Sequence, residues 1–233
     1  MNKIKKIAPI ALLLTSISSA AFADNWNIGA SASYGNIDGT SKDIQTVTGG
    51  ANVSQSRGAT SGDADFPFAS IFLEYAKTMN KDLDIIIGLD YVPFKAEIDS
   101  KSFADTSLEA GPTSTAGTRR ATLELKDYAT LYLQPTYKIG GGTAFFGKVG
   151  YIHGDVKISG SNTATGSTIN ATDTLNGYVV GLGVQHNINK NVFVRLEGSY
   201  TDHDDVKATD SKGTIFTADS ELIAGKISIG YSF

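Results

Sequence analysis

Apolar and polar positions alternate along most of this chain with a period of two. From Trp26 the series Trp26, Ile28, Ala30, Ala32, Tyr34 interleaves with Asn27, Gly29, Ser31, Ser33, Gly35. Strict alternation of this kind puts the two sets on opposite faces of a β-strand. The pattern returns with Leu83, Ile85, Ile87, Leu89, Tyr91 against Asp84, Ile86, Gly88, Asp90, and with Tyr178, Val180, Leu182, Val184 against Gly177, Val179, Gly181, Gly183. Near the end Val192, Val194, Leu196, Tyr200 oppose Arg195, Glu197, Ser199, Thr201, and Ile223, Ile227, Ile229, Tyr231, Phe233 oppose Ala224, Lys226, Ser228, Gly230, Ser232. Less regular versions run over 68–77, with Ala69, Ile71, Leu73 and Tyr75 on the apolar face, over 123–137 and over 144–152. Eight strands are predicted. No apolar run reaches the length of a membrane-spanning helix and no long 3.6-residue period occurs, so the class is all-β.

The connectors alternate in size. Segments 78–82, 138–143 and 187–191 are short and rich in Asn, Gly and Lys; 36–65, 93–121, 157–174 and 202–218 are long and polar, and read as surface loops. Short turns on one side and long connections on the other is the asymmetry of barrels that cross an outer membrane, with the long side facing away from the cell.

The first residues change the picture of where the chain goes. Lys3, Lys5 and Lys6 precede an apolar run from Ile7 to Leu14 and a small-residue site ending Ala21, Phe22, Ala23. This is the layout of a cleavable export signal, so residues 1–23 are expected to be removed and 24–233 to form the single mature domain. Removal takes away three lysines and no acid, moving the formal charge from −4 to −7. An acidic chain is a poor partner for nucleic acid. The absence of cysteine excludes disulfides and thiolate metal sites and suits an oxidising route of export.

A soluble carrier barrel would alternate too, but with its apolar face inside. The aromatic residues separate the two readings. Tyr34, Tyr91, Tyr151, Tyr178 and Tyr200 fall on the apolar parity at strand ends next to long connectors; Trp26, Tyr75, Tyr137, Phe145, Tyr231 and Phe233 fall on it at the other ends. Two aromatic girdles with Ile, Leu, Val and Ala between them describe a wall facing lipid. Hydrocarbon tolerates no open sheet edge, so the strands must close into an eight-stranded antiparallel up-and-down transmembrane β-barrel. Its narrow lumen must be filled by side chains. Glu74, Gln134, Lys148, Arg195 and Glu197 take lumen parity at similar distances from the short turns, and are expected to form a paired polar network, because buried charges are rarely left alone. Phe72, Phe146 and Phe193 take the same parity nearer the short turns and help to occlude the lumen.

With these strands and faces, residues 24–233 resemble the small eight-stranded outer-membrane barrels, the group of the opacity-type surface proteins and the barrel domain of outer membrane protein A. The more specific parts are the closing strand from Gly225 to Phe233 and the segment from Arg195 to Val206. The resemblance implies residence in the bacterial outer membrane, contact with its lipid and lipopolysaccharide, and delivery by the barrel-assembly machinery. It also assigns Ile227, Ile229, Tyr231 and Phe233 to the signal that this machinery reads.

Candidate chemistry is sparse. His153, His186 and His203 lie on different strands or loops, and no serine motif of a lipid-A deacylase follows His153, so no enzyme is expected. Asp202, Asp204, Asp205, Asp210 and Asp219 could attract calcium, which takes oxygen ligands, but match no calcium loop, so neither metal nor cofactor is expected. Gly177, Gly181 and Gly183 lack the helix that a dinucleotide fingerprint needs and read as small lumen residues. The reading that results is a structural or adhesion protein acting on host or cell-surface ligands through four long external loops. A narrow porin-like channel is the alternative, and a water-filled pore wants about 16 strands.

Overall fold

The computed structural model describes residues 24–47, 53–56, 60–94, 96–106, 116–163, 166–211, 213 and 215–233. The export segment 1–23 lies outside them. The strands are β1 (Asp24–Val47), β2 (Val53–Ser56), β3 (Thr60–Thr78), β4 (Leu83–Val92), β5 (Ala96–Thr106), β6 (Ala116–Gly140), β7 (Thr143–Asn162), β8 (Ser167–Asn187), β9 (Val192–Thr209) and β10 (Ile215–Ser232). Among the described residues there is no helix.

Each long strand pairs antiparallel with its neighbours in sequence, and β10 returns to β1, closing a ring of eight: β1, β3, β4, β6, β7, β8, β9, β10. Trp26 and Phe233 exchange backbone hydrogen bonds at the closure. The remaining two strands prolong ring members, β2 lying on β1 beyond the end of β3 and β5 on β6 beyond the end of β4. Pro93, which has no N–H to give a ladder, stands at the break between β4 and β5. The three short connectors fall between β3 and β4, β6 and β7, and β8 and β9, where the sequence places them. Gly140, Gly141 and Gly142 carry positive φ values of 94°, 61° and 77°, a run only glycine adopts freely.

The faces are those of a lipid-embedded wall. Ile28, Ile71, Ile87, Leu131, Val149, Leu182, Leu196, Ile227 and Ile229 are exposed on the outside, while Asn27, Ser31, Ser70, Glu74, Lys148, Arg195, Glu197 and Ser228 are buried inside. Apolar surface facing out and polar groups facing in is the reverse of a water-soluble barrel.

The long connectors are not loops for most of their length. β1 and β10 stay paired to Ile44↔Ile215, β7 and β8 to Asn162↔Ser167, and β9 and β10 to Thr209↔Ile215. The alternation continues there, but it inverts. Val156, Leu175, Val206, Leu222, Phe66 and Val92 point into the lumen and join Leu125, Tyr128, Ile152 and Val179 in one buried cluster. Once the wall rises out of lipid its outer face meets water, so the apolar residues move inside. The stretch over 123–137 crosses this boundary at a bulge. The register of β6 against β7 shifts between Lys126 and Ala129, with Asp127 at φ 49°. One inserted residue turns Leu125 inward while Leu131 and Leu133 face out.

Candidate functional site

The lumen is the candidate site, and it is filled in tiers. At the periplasmic end Phe72, Phe146 and Phe193 are buried, each directly opposed to a glycine on the next strand: Gly29, Gly183 and Gly230. The glycines leave room for the rings to lie across the ladder. Gly88 does the same for its opposed partner Tyr132.

Arg195 sits above these rings. Its guanidinium carbon lies 4.5 Å from the ring centre of Phe193, 5.5 Å from Phe72 and 5.8 Å from Phe146, within cation–π range of all three. It grips Glu74 with two hydrogen bonds, Nη1 to Oε1 and Nη2 to Oε2, the latter 2.8 Å. Its Nε donates to Gln185 Oε1 at 2.8 Å. Glu74 also accepts from Tyr132 Oη at 2.6 Å and Asn27 Nδ2 at 3.1 Å, so both carboxylate oxygens are served twice. Lys148 pairs with Glu197 and lies 4.4 Å from the ring centre of Tyr132. Lys226 pairs with Asp90 at 2.9 Å. Three acids thus meet three bases, and the belt carries no net charge.

The structure brings together four of the five residues read as a network: Glu74 with Arg195, and Lys148 with Glu197. Gln134 is fully enclosed but turns its amide to Thr136 Oγ1 at 3.3 Å, apart from the ion pairs. Asp90, Lys226, Tyr132, Asn27 and Gln185 complete the belt, beyond the five residues that the sequence pattern assigns to it. Their lumen parity was the available signal. Counting depth from each turn ignores the stagger of tilted strands, which carries Asp90 and Lys226 to the level of the others.

A cavity of about 40 Å³ separates the belt from the apolar cluster above, lined among others by Asp90, Lys148, Glu197, Lys226 and Tyr128. Above it the apolar residues close the lumen, and His203, read from sequence as part of a loop, is buried there. Its Nε2 lies 3.2 Å from Tyr128 Oη across the lumen and its Nδ1 3.3 Å from the Ser220 carbonyl. His153 bonds Asn176 on the outside and His186 bonds Thr143 near the periplasmic end, so the three histidines do not converge. Among the described residues no three His, Asp or Glu side chains are placed to hold a metal ion.

The aromatic residues of both girdles sit on the outward face. Tyr34, Tyr137, Phe145, Tyr151, Tyr178, Tyr200, Tyr231 and Phe233 are exposed; Trp26, Tyr75 and Tyr91 are half-buried against neighbours. Trp26 packs on Tyr75 and Tyr151 on Tyr178, with ring centres 5.2 and 5.4 Å apart. Ile227, Ile229, Tyr231 and Phe233 form one outward row on β10.

The family model described as outer membrane protein beta-barrel domain matches residues 10–218. Among solved structures, the outer membrane protein OprG of Pseudomonas aeruginosa is similar, with 17% identity, coverage of 91% of this chain and 96% of that one, and a TM-score of 0.53. The outer membrane protease OmpT of Escherichia coli aligns with 13% identity over 89% and 97% of the chains at a TM-score of 0.47. Ail, the attachment invasion locus protein of Yersinia pestis solved with the heparin analogue sucrose octasulfate, aligns with 15% identity over 88% and 99% at 0.42. No curated protein sequence matches the chain.

Proposed function

Because the chain belongs to the outer membrane protein β-barrel domain family and resides in the bacterial outer membrane, we propose that it works there as a surface protein, contacting host, neighbouring cells or the lipopolysaccharide layer through the part of its wall that stands beyond the lipid. The observation that carries this reading is the pairing of a sealed lumen with a long external wall. Phenylalanines, the ion-paired belt and the apolar cluster fill the interior one above another, so little in it suits a conduit. Outside the lipid the same strands continue as a cylinder whose interior is apolar and whose exterior is polar. A stiff polar cylinder presents side chains in fixed positions, which supports recognition better than loose loops do.

In this reading the lumen belt has a structural role, the aromatic rows hold the barrel at the two headgroup levels, and Ile227, Ile229, Tyr231 and Phe233 serve delivery to the membrane. No step requires a catalytic group or a cofactor.

Planar-bilayer recording of the purified protein, run beside a binding screen that compares it with a variant shortened in its four external hairpins, tests the proposal. Electrically silent bilayers and binding that disappears with the hairpins are expected. Stable unit conductance in the full-length protein would favour the porin-like alternative, and altered lipid A in an overexpressing strain would favour an enzyme.

A further inference from the structure

Two periplasmic turns, on opposite sides of the ring, are one device built twice. Between β3 and β4 the chain reads Met79, Asn80, Lys81, Asp82; between β8 and β9 it reads Ile188, Asn189, Lys190, Asn191. Met79 N donates to Leu83 O and Ile188 N to Val192 O. Asn80 Oδ1 accepts from Asp82 N, and Asn189 Oδ1 accepts from Asn191 N and Val192 N. This Asx chemistry accounts for the two asparagines. It asks nothing of the residue before them or the lysine after them.

Those two positions are nevertheless chemically alike in both turns, and both are exposed. Met79 is 57% exposed and Ile188 58%. The Lys81 side chain is 89% exposed, and its acidic contact among the described residues is Asp82 at 3.8 Å. The third turn repeats only the exposed apolar tip, Ile139, since the Lys138 before it is paired with Asp84 at 2.7 Å. Met79, Ile139 and Ile188 each take the outward parity of their strands, Met79 beyond the exposed Lys77 and Ile188 beyond the exposed His186, so polar side chains separate two of these tips from the apolar wall. From Tyr178 to Ile188 the chain, at roughly 3.3 Å per residue and a tilt near 40°, descends about 25 Å. That is the height of the apolar band on such barrels, about 25 Å. A membrane edge set by the Tyr178 level therefore puts the opposite edge close to the turn, with His186 just above it.

We propose that these turns are seated in the headgroup layer of the inner leaflet, with Met79, Ile139 and Ile188 lying among the headgroups below the aromatic row and Lys81 and Lys190 resting on phospholipid phosphates. An apolar tip beside a lysine suits this layer, since the methylenes lie along the lipid and the ammonium meets phosphate. The partner is phospholipid. A soluble periplasmic protein reading the same surface is the competing outcome.

Met79 is the sole methionine beyond the export segment, so methyl-labelled mature protein in nanodiscs of phosphatidylethanolamine and phosphatidylglycerol gives one methionine signal, with no substitution needed. Broadening by lipid nitroxides placed near the headgroup, and protection from a water-soluble gadolinium chelate, are expected. Charge reversal in a Lys81→Glu and Lys190→Glu double variant should weaken the lipid-induced broadening at least about twofold. A methyl broadened by the chelate and not by the lipid, or broadening unchanged in the double variant, would overturn the proposal.

Discussion

Phe193 lies across Gly230, its directly opposed partner on β10, so closely that a Cβ built on the glycine would stand 2.2 Å from the tip of the ring. The same relation joins Phe146 to Gly183 and Phe72 to Gly29. These rings in turn surround the Arg195 guanidinium, so the glycines indirectly set where that cation stands. Gly230→Ala should therefore force the ring off its seat and lower stability by about 1–3 kcal/mol, the usual effect of overpacking. Gly225→Ala on the lipid face of the same strand, where nothing lies within 4 Å of the added atom, should be nearly neutral. Urea titration of vesicle-embedded protein, read by the mobility shift of folded barrels on gels, compares the two; equal midpoints would sink the packing argument.

The Glu74–Arg195 pair is enclosed on all sides, and each partner is the main counter-charge of the other. Arg195→Leu leaves a buried carboxylate with only neutral donors, a loss of about 3–5 kcal/mol. Replacing both, as Glu74→Leu with Arg195→Leu, should recover much of that loss, because an uncharged lumen no longer holds an unpaired ion. If the double variant is as unstable as the sum of the two single ones, the pair is not the unit described here.

Leu175 and Leu182 sit on one strand seven residues apart and face opposite ways, Leu175 buried in the apolar cluster and Leu182 74% exposed to lipid. Leu175→Ala is expected to destabilise by about 2–5 kcal/mol and Leu182→Ala by much less, since only the first leaves a cavity. The comparison is pointed because Leu175 adjoins a segment whose composition reads as a loop. Unfolding midpoints in urea decide it.

How far the sequence reveals the molecule follows from the same contrast. The ring, its closure and its faces within the lipid were legible because the alternation there obeys one rule, apolar outward. Beyond the tyrosine level the rule reverses, and Val156, Leu175 and Leu222 fall on the parity that had been polar, while Val206 reaches the lumen on the other parity because the register of β9 against β10 shifts between His203 and Val206. Ser, Thr, Gly and Asp between them then resemble loop composition. The bulge at Asp127 hides the change in β6, because one extra residue cancels the parity shift. In the belt, Glu74 and Arg195 are legible because both lie close to the short turns. Asp90 and Lys226 are not legible in this way, because strand stagger, which sets their true level, is a property of the closed ring rather than of any one strand.

Deleting Phe233 tests the role that the resemblance assigns to the terminal row. Phe233 also exchanges backbone bonds with Trp26 at the closure, so a structural effect must be separated from a delivery effect. Phe233→Ala keeps both backbone bonds. Unchanged refolding in vitro together with a clear fall in the amount reaching the outer membrane of cells is expected. Equal loss in both settings would instead place the aromatic ring in barrel stability.

Four carboxylates stand side by side on the outer face just above the tyrosine level. Asp63 opposes Asp38, Asp38 opposes Glu221, and Glu221 opposes Asp202, across four successive strands, and all four are exposed. Like charges directly opposed across a ladder destabilise it. Asp38 has such a neighbour on both sides, whereas Asp202 has one, its other partner being Tyr178. Asp38→Asn should therefore raise the unfolding midpoint, and by more than Asp202→Asn does. Exposed charges are screened within about 10 Å at 0.1 M salt, so the gain should shrink as salt is added. A gain that is independent of salt, or larger at Asp202 than at Asp38, would mean that repulsion along this row is not what limits the stability of the external wall.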